Sequence, residues 1–283
     1  MEVIQSLADM TAWSQRMAAG GKTIALVPTM GYFHEAHLSL MRMAAVKADK
    51  VVVSLFVNAM QFGPQEDLAR YPRDFDRDRQ LAEKEGVNVL FAPSADDIYP
   101  AEFNTQVRVE GITAILCGKQ RPGHFEGVTT VVAKLFHLVK ANCAIFGEKD
   151  FQQLSVIRKM VKDLNWDIAI IGHPIVREAD GLAMSSRNVY LSPDERDKAL
   201  SLYKTIEHSK SRTREGITDA NQLISEVKDI ILASPGVSID YVSIVDSESL
   251  ADKGTIDKRS VLVLAVKVGE TRLIDNCFLF SEI

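Results

Sequence analysis

The chain reads as an α/β protein, a doubly wound parallel sheet followed by a smaller α+β portion. Three observations predict this. Continuous β-branched runs such as KVVVSLFV (50–57) suit strands buried on both faces. Charged amphipathic stretches such as DFDRDRQLAEKEG (74–86) alternate with them. After about residue 175 the order changes to helices first and strands afterwards.

In chain order, helical periodicity covers 3–19 and stops at Gly20-Gly21, and KTIALVPT (22–29) follows as a strand. A glycine turn then leads to a helix over 34–48, with Leu38, Met41, Ala45 and Ala48 on its buried face. The strand 50–57, the helix 74–86, the strand VNVLFAP (87–93) and a helix over 127–140 come next. CAIFG (143–147), a helix over 150–163 and WDIAIIG (166–172) complete the pattern. Helices over 193–211 and 218–234 then precede SIDYVSIVD, SVLVLAVKVG and TRLIDNCFL, which predict an antiparallel sheet. The boundary is expected between 175 and 185, giving domains 1–175 and 176–283 with READGLAMSSRN at their junction.

The 283 residues suffice for two cores, and 46% hydrophobic with 25% charged residues is a soluble globular composition. Cys117, Cys143 and Cys277 form no C-x-x-C pair, which fits a reducing compartment and suggests neither a disulfide framework nor a zinc ribbon. No apolar run approaches the roughly 20 residues that span a bilayer, and the N-terminus lacks a signal-like apolar stretch, so a cytoplasmic protein away from membranes is expected. A net charge of −5 argues against a nucleic-acid partner.

IALVPTMGYFHEAHLSL (24–40) sets the first chemical question. His34 and His37 stand three apart, not the four of H-E-x-x-H, so a zinc site is not indicated. A helix start beyond a parallel strand offers free N–H groups and a positive dipole end to an anion. There the two histidines serve as donors to phosphate, or else as a capping and a surface histidine. Lys149 and Asp150 in FGEKDFQQL open another helix beyond a strand, a place for phosphate neutralisation and capping or simply a solvated turn. Ser185, Ser186 and Arg187 suit phosphate oxygens, although such a trio is common. Asn58 and Gln61 suit a small polar substrate or a turn, and RPGHFEGV (121–128) reads as loop-shaping. Asp74, Asp76 and Asp78 suit Mg²⁺ beside phosphates or a solvated acidic helix start.

VPTMG…H..H, VN..QF, YPR, RPGHF.GV, FGEKDFQQ, READGLAMSSRN and RLIDN stand in an order and spacing that resemble the pantothenate synthetase (pantoate–β-alanine ligase) family along essentially the whole chain. The resemblance implies a Rossmann-like nucleotidyltransferase fold related to class I aminoacyl-tRNA synthetases, with a C-terminal domain acting as a lid, in a cytoplasmic homodimer. It implies an ATP- and Mg²⁺-dependent ligase of the coenzyme A pathway: pantoate is adenylylated with release of pyrophosphate, and β-alanine displaces AMP. By the same resemblance ATP falls on Met30, Gly31, His34, Ala36, His37, Gly147, Lys149, Asp150, Val176, Met184, Ser185, Ser186 and Arg187. Pantoate and β-alanine fall on Thr29, Met30, Asn58, Gln61 and Gln153. His37 matches a family proton donor. A carboxylate nucleophile needs no deprotonation near neutral pH, so His34 and His37 are better read as donors to charging phosphate oxygens, with Lys149, Ser185, Ser186 and Arg187 sharing the load. Asp78 is the choice for a magnesium-linked acid.

Three positions depart from the family pattern. Ala36 stands where glycine is expected, Ala59 where proline is, and Ala141-Asn142 where Pro-Asp is. A methyl at 36 is expected to crowd the nucleotide by about 1–3 kcal/mol. Two rival readings follow: a nucleotide-binding homologue whose activity is impaired or lost through Ala36, and a related nucleotidyltransferase with a phosphorylated acceptor. Lys149, Ser185, Ser186 and Arg187 speak against the first; the neutral Gln61 and Gln153 speak against the second.

Overall fold

The computed structural model describes residues 1–64 and 66–280. It divides into two compact units: Met1–Glu148 with Gln153–Pro174, and Lys149–Gln152 with Ile175–Ile283.

The first unit carries a six-stranded, all-parallel sheet of β1 (Glu2–Ile4), β2 (Ile24–Thr29), β3 (Lys50–Leu55), β4 (Val89–Phe91), β5 (Cys143–Gly147) and β6 (Ala169–His173). The spatial order is β1-β4-β3-β2-β5-β6, so β2 is flanked by β3 on one side and β5 on the other. This is a doubly wound, Rossmann-like order with one strand added at an edge. Alternate residues feed two separate cores, as the two-residue period of a strand requires. Ile24, Leu26, Val52, Ala144 and Phe146 join one core with α1 (Leu7–Ala19), α6 (His124–Val139) and α7 (Phe151–Asp163). Ala25, Val27, Val51, Val53 and Ile145 join the other with α2 (Glu35–Lys47) and α3 (Phe75–Lys84). Two short helices, α4 (Ala95–Ile98) and α5 (Leu116–Gln120), lie between β4 and α6.

Several expected elements are corrected in detail. The start of the predicted first helix is strand β1, because Ser6 caps α1 by accepting from Asp9 N and the chain before it pairs with β4. In α2 the buried residues are Leu40, Met41 and Ala44, while Ala45 is exposed, one residue or about 100° off the stripe. The last parallel strand starts only at Ala169, and Trp166 instead packs edge-on against Phe136. RPGHFEGV ends in a helix, with Gly123 in the left-handed region and α6 starting at His124. Asn142, at one of the departures noted above, ties the link after α6 to β2, its Oδ1 accepting from Ile24 N at 2.8 Å.

The second unit contains α8 (Pro193–Arg214), α9 (Ala220–Leu232) and an antiparallel sheet β7 (Val237–Asp246), β8 (Ser260–Val268) and β9 (Thr271–Phe278). Ile206 of α8 and Val227 of α9 pack with Leu264, Leu273 and Cys277 in one core. Among the described residues no helix is long and apolar enough to cross a membrane.

Glu226 on α9 joins the two helices: it accepts from Arg212 at 2.8 and 3.1 Å, meets His208 Nε2 at 2.8 Å, and is held down to about 2 chiefly by the Arg212 hydrogen bonds. A depressed carboxylate contributes stability above its unfolded pKa, about 4.3, and loses it as pH falls through the folded value. Glu226→Gln is therefore expected to flatten the acid limb of a melting-temperature profile between about pH 4 and pH 2. An unchanged slope by circular dichroism would contradict this.

Candidate active site

β2 ends at Thr29, whose hydroxyl donates to Ser54 O at 2.6 Å and accepts from Gly31 N at 3.3 Å. The chain then passes through two left-handed residues, Gly31 (φ 86°) and Tyr32 (φ 54°). Side chains rarely adopt that region, so something must hold Tyr32 there. Asp78, at the start of α3 and 1% exposed, accepts from Tyr32 N at 2.6 Å and Phe33 N at 2.7 Å. Burial raises its pKa against the pull of these N–H groups and of Arg77, whose guanidinium also lies 5.2 Å from the Tyr32 ring centre. A Cβ on Gly31 would stand 3.0 Å from Asp78 Oδ2, so the glycine leaves room for the carboxylate.

The turn delivers the chain to His34, the N-cap of α2. His37 Nδ1 accepts from His34 N at 3.3 Å, with the rings 4.1 Å apart. Here a histidine does what Glu or Gln does in a capping box. Accepting at Nδ1 leaves the ring proton of neutral His37 on Nε2, so Nε2–H is a donor. Ala36 lies in the first turn of α2 with its side chain half-buried and helical backbone, so no positive φ calls for glycine there.

Beyond β3 a 3₁₀ turn, Ala59–Gln61, presents Gln61. Asn58 is 1% exposed and donates to Gln61 Oε1 (3.2 Å) and Gly127 O (3.0 Å), while Tyr99 Oη donates to its Oδ1 (2.9 Å). Its amide therefore aims Gln61, whose Nε2 donates to Met30 Sδ at 3.0 Å. Arg121 forks onto Glu66 (2.7 and 2.5 Å) and reaches Gln61 O at 3.2 Å. His124 Nδ1 donates to the same carbonyl at 2.8 Å, and its Nε2 accepts from Arg121 Nη1 at 3.0 Å. Burial is the largest single influence and works to raise Glu66, but the Arg121 hydrogen bond and charge, with His124 and the turn at Gly63, together outweigh it and hold the carboxyl below its usual range. Gly127 lets α6 lie directly on this turn: a Cβ there would be 2.5 Å from Met60 C and O.

In the second unit, Lys149 and Asp150 end a 3₁₀ turn, Glu148–Asp150, before α7, with Nζ and Oδ2 3.7 Å apart. Val176 and Met184 close a small loop through Met184 N to Val176 O at 2.9 Å. Ser185 caps the next 3₁₀ turn, its Oγ accepting from Arg187 N at 3.3 Å, and Ser186 is buried. In the first unit, Gln153 is half-buried on α7, and Gly147 ends β5 with open space around its Cβ position.

The strand order reverses between β2 and β5, so their carboxyl ends, Thr29 and Gly147, diverge. Crevices at such points are where open α/β sheets bind ligands. A family model described as pantoate-beta-alanine ligase matches residues 2–278. The chain belongs to that ligase family. A pantothenate synthetase from Geobacter sulfurreducens is 55% identical over 282 residues, covering 100% of each chain. A crystal structure of pantothenate synthetase from Thermus thermophilus matches at TM-score 0.95 with 43% identity, covering 99% of this chain and 100% of that one. The Francisella tularensis pantoate-beta-alanine ligase, complexed with beta-gamma ATP and beta-alanine, matches at TM-score 0.82 with 31% identity, covering 100% and 99%.

Within the first unit the ligase brings Thr29, Met30, Gly31, His34 and His37 onto one turn, and joins Met30 to Gln61. Sequence reasoning misses what holds these groups. It offers Asp78 as a metal candidate and Arg121 and His124 as loop residues, because partners 46 and 60 positions away carry no local signal.

Gly127→Ala is expected to cost about 1–3 kcal/mol by overpacking the Gln61 turn, whereas Gly147→Ala, entering open space, should stay within about 0.5 kcal/mol. Urea denaturation of both variants checks the contrast, and equal stabilities would refute it.

Proposed function

We propose that the chain condenses (R)-pantoate with β-alanine using ATP, releasing AMP and pyrophosphate. The observation that carries this reading is the helix start at the switch point, where α2, His34 and His37 follow β2 on the Asp78-held turn. Membership of the ligase family supports it along residues 2–278.

The pantoate carboxylate attacks the α-phosphorus of ATP; an oxygen–phosphorus bond forms and the bond to pyrophosphate breaks. The β-alanine amine then attacks the acyl carbon, AMP leaves, and the amine loses a proton to solvent. The first step asks mainly for positioning and charge stabilisation. We assign His37 Nε2–H, His34 and the first N–H groups of α2 to phosphate oxygens, with Lys149, Ser185, Ser186 and Arg187 as further donors. Gly147, Asp150, Val176 and Met184 complete the proposed nucleotide contacts. Gln61 and Gln153 take pantoate, with Thr29, Met30 and Asn58 shaping that end. The 176–283 portion is proposed as a cover that keeps the mixed anhydride from water. A homodimeric, cytoplasmic enzyme belongs to the same reading.

Magnesium is proposed to arrive on the ATP phosphates. Asp78 does not fit as its ligand, because its oxygens accept from Tyr32 N and Phe33 N. Among the described residues no group of three or more His, Cys, Asp or Glu side chains stands ready for a metal. That composition suits an ion carried in mainly by substrate oxygens and water.

Pantoate-dependent pyrophosphate release without β-alanine, followed by AMP and pantothenate when β-alanine is added, is the expected result. AMP formation independent of pantoate would overturn the reading. Ala36→Gly is expected to tighten ATP binding roughly tenfold or more by relieving overpacking, at about 1 kcal/mol of helix stability. Equal calorimetric Kd values for the two proteins would show that the methyl does not crowd ATP.

A further inference from the structure

The RLIDN motif has no part in the reaction described so far, yet two of its residues are buried polar groups on β9: Asp275 is 2% exposed and Asn276 4%. Burying such groups is costly unless their hydrogen bonds are made, so what they bond to indicates what they do.

Asp275 lies on the face of β9 shared with Leu273 and Cys277. It takes the Arg177 guanidinium in a fork, Nη1 to Oδ2 at 2.7 Å and Nη2 to Oδ1 at 3.0 Å. Arg177 Nη1 also donates to Gly181 O at 3.1 Å, and its guanidinium lies 5.1 Å from the Tyr203 ring centre. Arg177 pairs with Ala183 across a small antiparallel loop, and Ala183 O accepts from Asn188 Nδ2 at 3.1 Å. Asn188 Nδ2 also reaches Glu178 Oε1 at 2.6 Å, and Arg196 ties Glu178 to Asp180. The fork thus anchors the loop that leads directly into Ser185, Ser186 and Arg187. Gly181 lets the loop close, since a Cβ there would be 2.0 Å from the Tyr203 ring.

Asn276 points to the opposite face, with Phe278. Its Nδ2 donates to Lys149 O at 3.0 Å, and Phe278 packs edge-on against Phe151, with ring centres 5.8 Å apart. One strand therefore grips two segments distant in sequence through adjacent residues, whose Cα atoms are about 3.8 Å apart.

We propose that Asp275 and Asn276 are positioning residues for adenylylation: Asp275 sets the Ser185–Arg187 segment through Arg177, and Asn276 sets Lys149 through its backbone carbonyl. Both sets of phosphate donors then share one rigid reference, β9. This rests on the assignment of Lys149 and Ser185–Arg187 to ATP. A geometry preset in this way spares the nucleotide the work of ordering its own donors.

The test uses the full chain. Asn276→Ala is expected to weaken ATP binding by calorimetry, and to raise the KM for ATP, roughly five- to tenfold, with the KM for β-alanine unchanged. Because Asn276 acts through Lys149, adding Asn276→Ala to Lys149→Ala should weaken ATP binding no further, a non-additivity that general destabilisation does not produce. Asp275→Asn should likewise raise the KM for ATP selectively. If that variant fails to fold, the Asn276 cycle still decides the Asn276 half, and Asn188→Ala, which loosens the same loop without touching the buried ion pair, decides the other. Wild-type ATP affinity in Asn276→Ala, or full additivity with Lys149→Ala, would overturn the proposal while leaving wild-type ligase turnover intact. Absence of pantoate-dependent pyrophosphate release from the wild-type chain would instead remove the reading on which it rests.

Discussion

β2 leaves the sheet through two successive left-handed residues, Gly31 and Tyr32, and the buried carboxylate of Asp78 holds the N–H groups of Tyr32 and Phe33 while they do so. A non-glycine residue in that region costs on the order of 1–3 kcal/mol, and charge-assisted hydrogen bonds of about 1.5–3 kcal/mol each can offset it. The turn lets α2 begin directly beyond the strand end, with His34 at its cap and His37 one turn in. Without it the helix dipole, the first N–H groups and the two histidines would not share one place.

The same logic recurs elsewhere in the first unit. Gln61 is offered on a short turn whose every handle is buried or paired: Asn58 beneath its side chain, Gly127 against its backbone, and Arg121 with His124 on its carbonyl. Ala59, at the start of this turn, lacks the preset backbone angle that a proline would give. The clamp from Arg121 and Glu66 supplies rigidity by another route. A ligase that adenylylates a carboxylate needs little acid–base chemistry and much fixed geometry, and the buried polar groups here serve geometry.

Much of this is legible in the chain itself. The β-branched runs and charged helices are enough for a parallel sheet with helices on both faces, and the antiparallel C-terminal sheet follows from helices preceding strands. His34 is recognisable as a helix cap because it stands between a glycine turn and an amphipathic stretch. The phase of α2 goes astray at Ala45, since two alanine-rich stripes differ little in pattern and packing alone chooses between them. Glu2–Ile4 blends into the first helix because three residues hold too little periodicity to show a strand whose partner, β4, lies more than eighty positions away.

The residue types proposed for the chemistry, and their order along the chain, were determined by the sequence: histidines after a glycine turn, a lysine after a strand, two serines and an arginine after a loop. The tertiary structure alone decided which polar groups hold them. Asp78 accepts from the backbone N–H groups of Tyr32 and Phe33, and Arg121 reaches back to Gln61 and Glu66. Asp275 and Asn276 divide their bonds between the two faces of one strand. The physical reason is that a strand's period and a helix's phase are local properties written in neighbouring residues. A hydrogen bond between residues 46, 60 or 127 positions apart exists only once the chain has closed on itself.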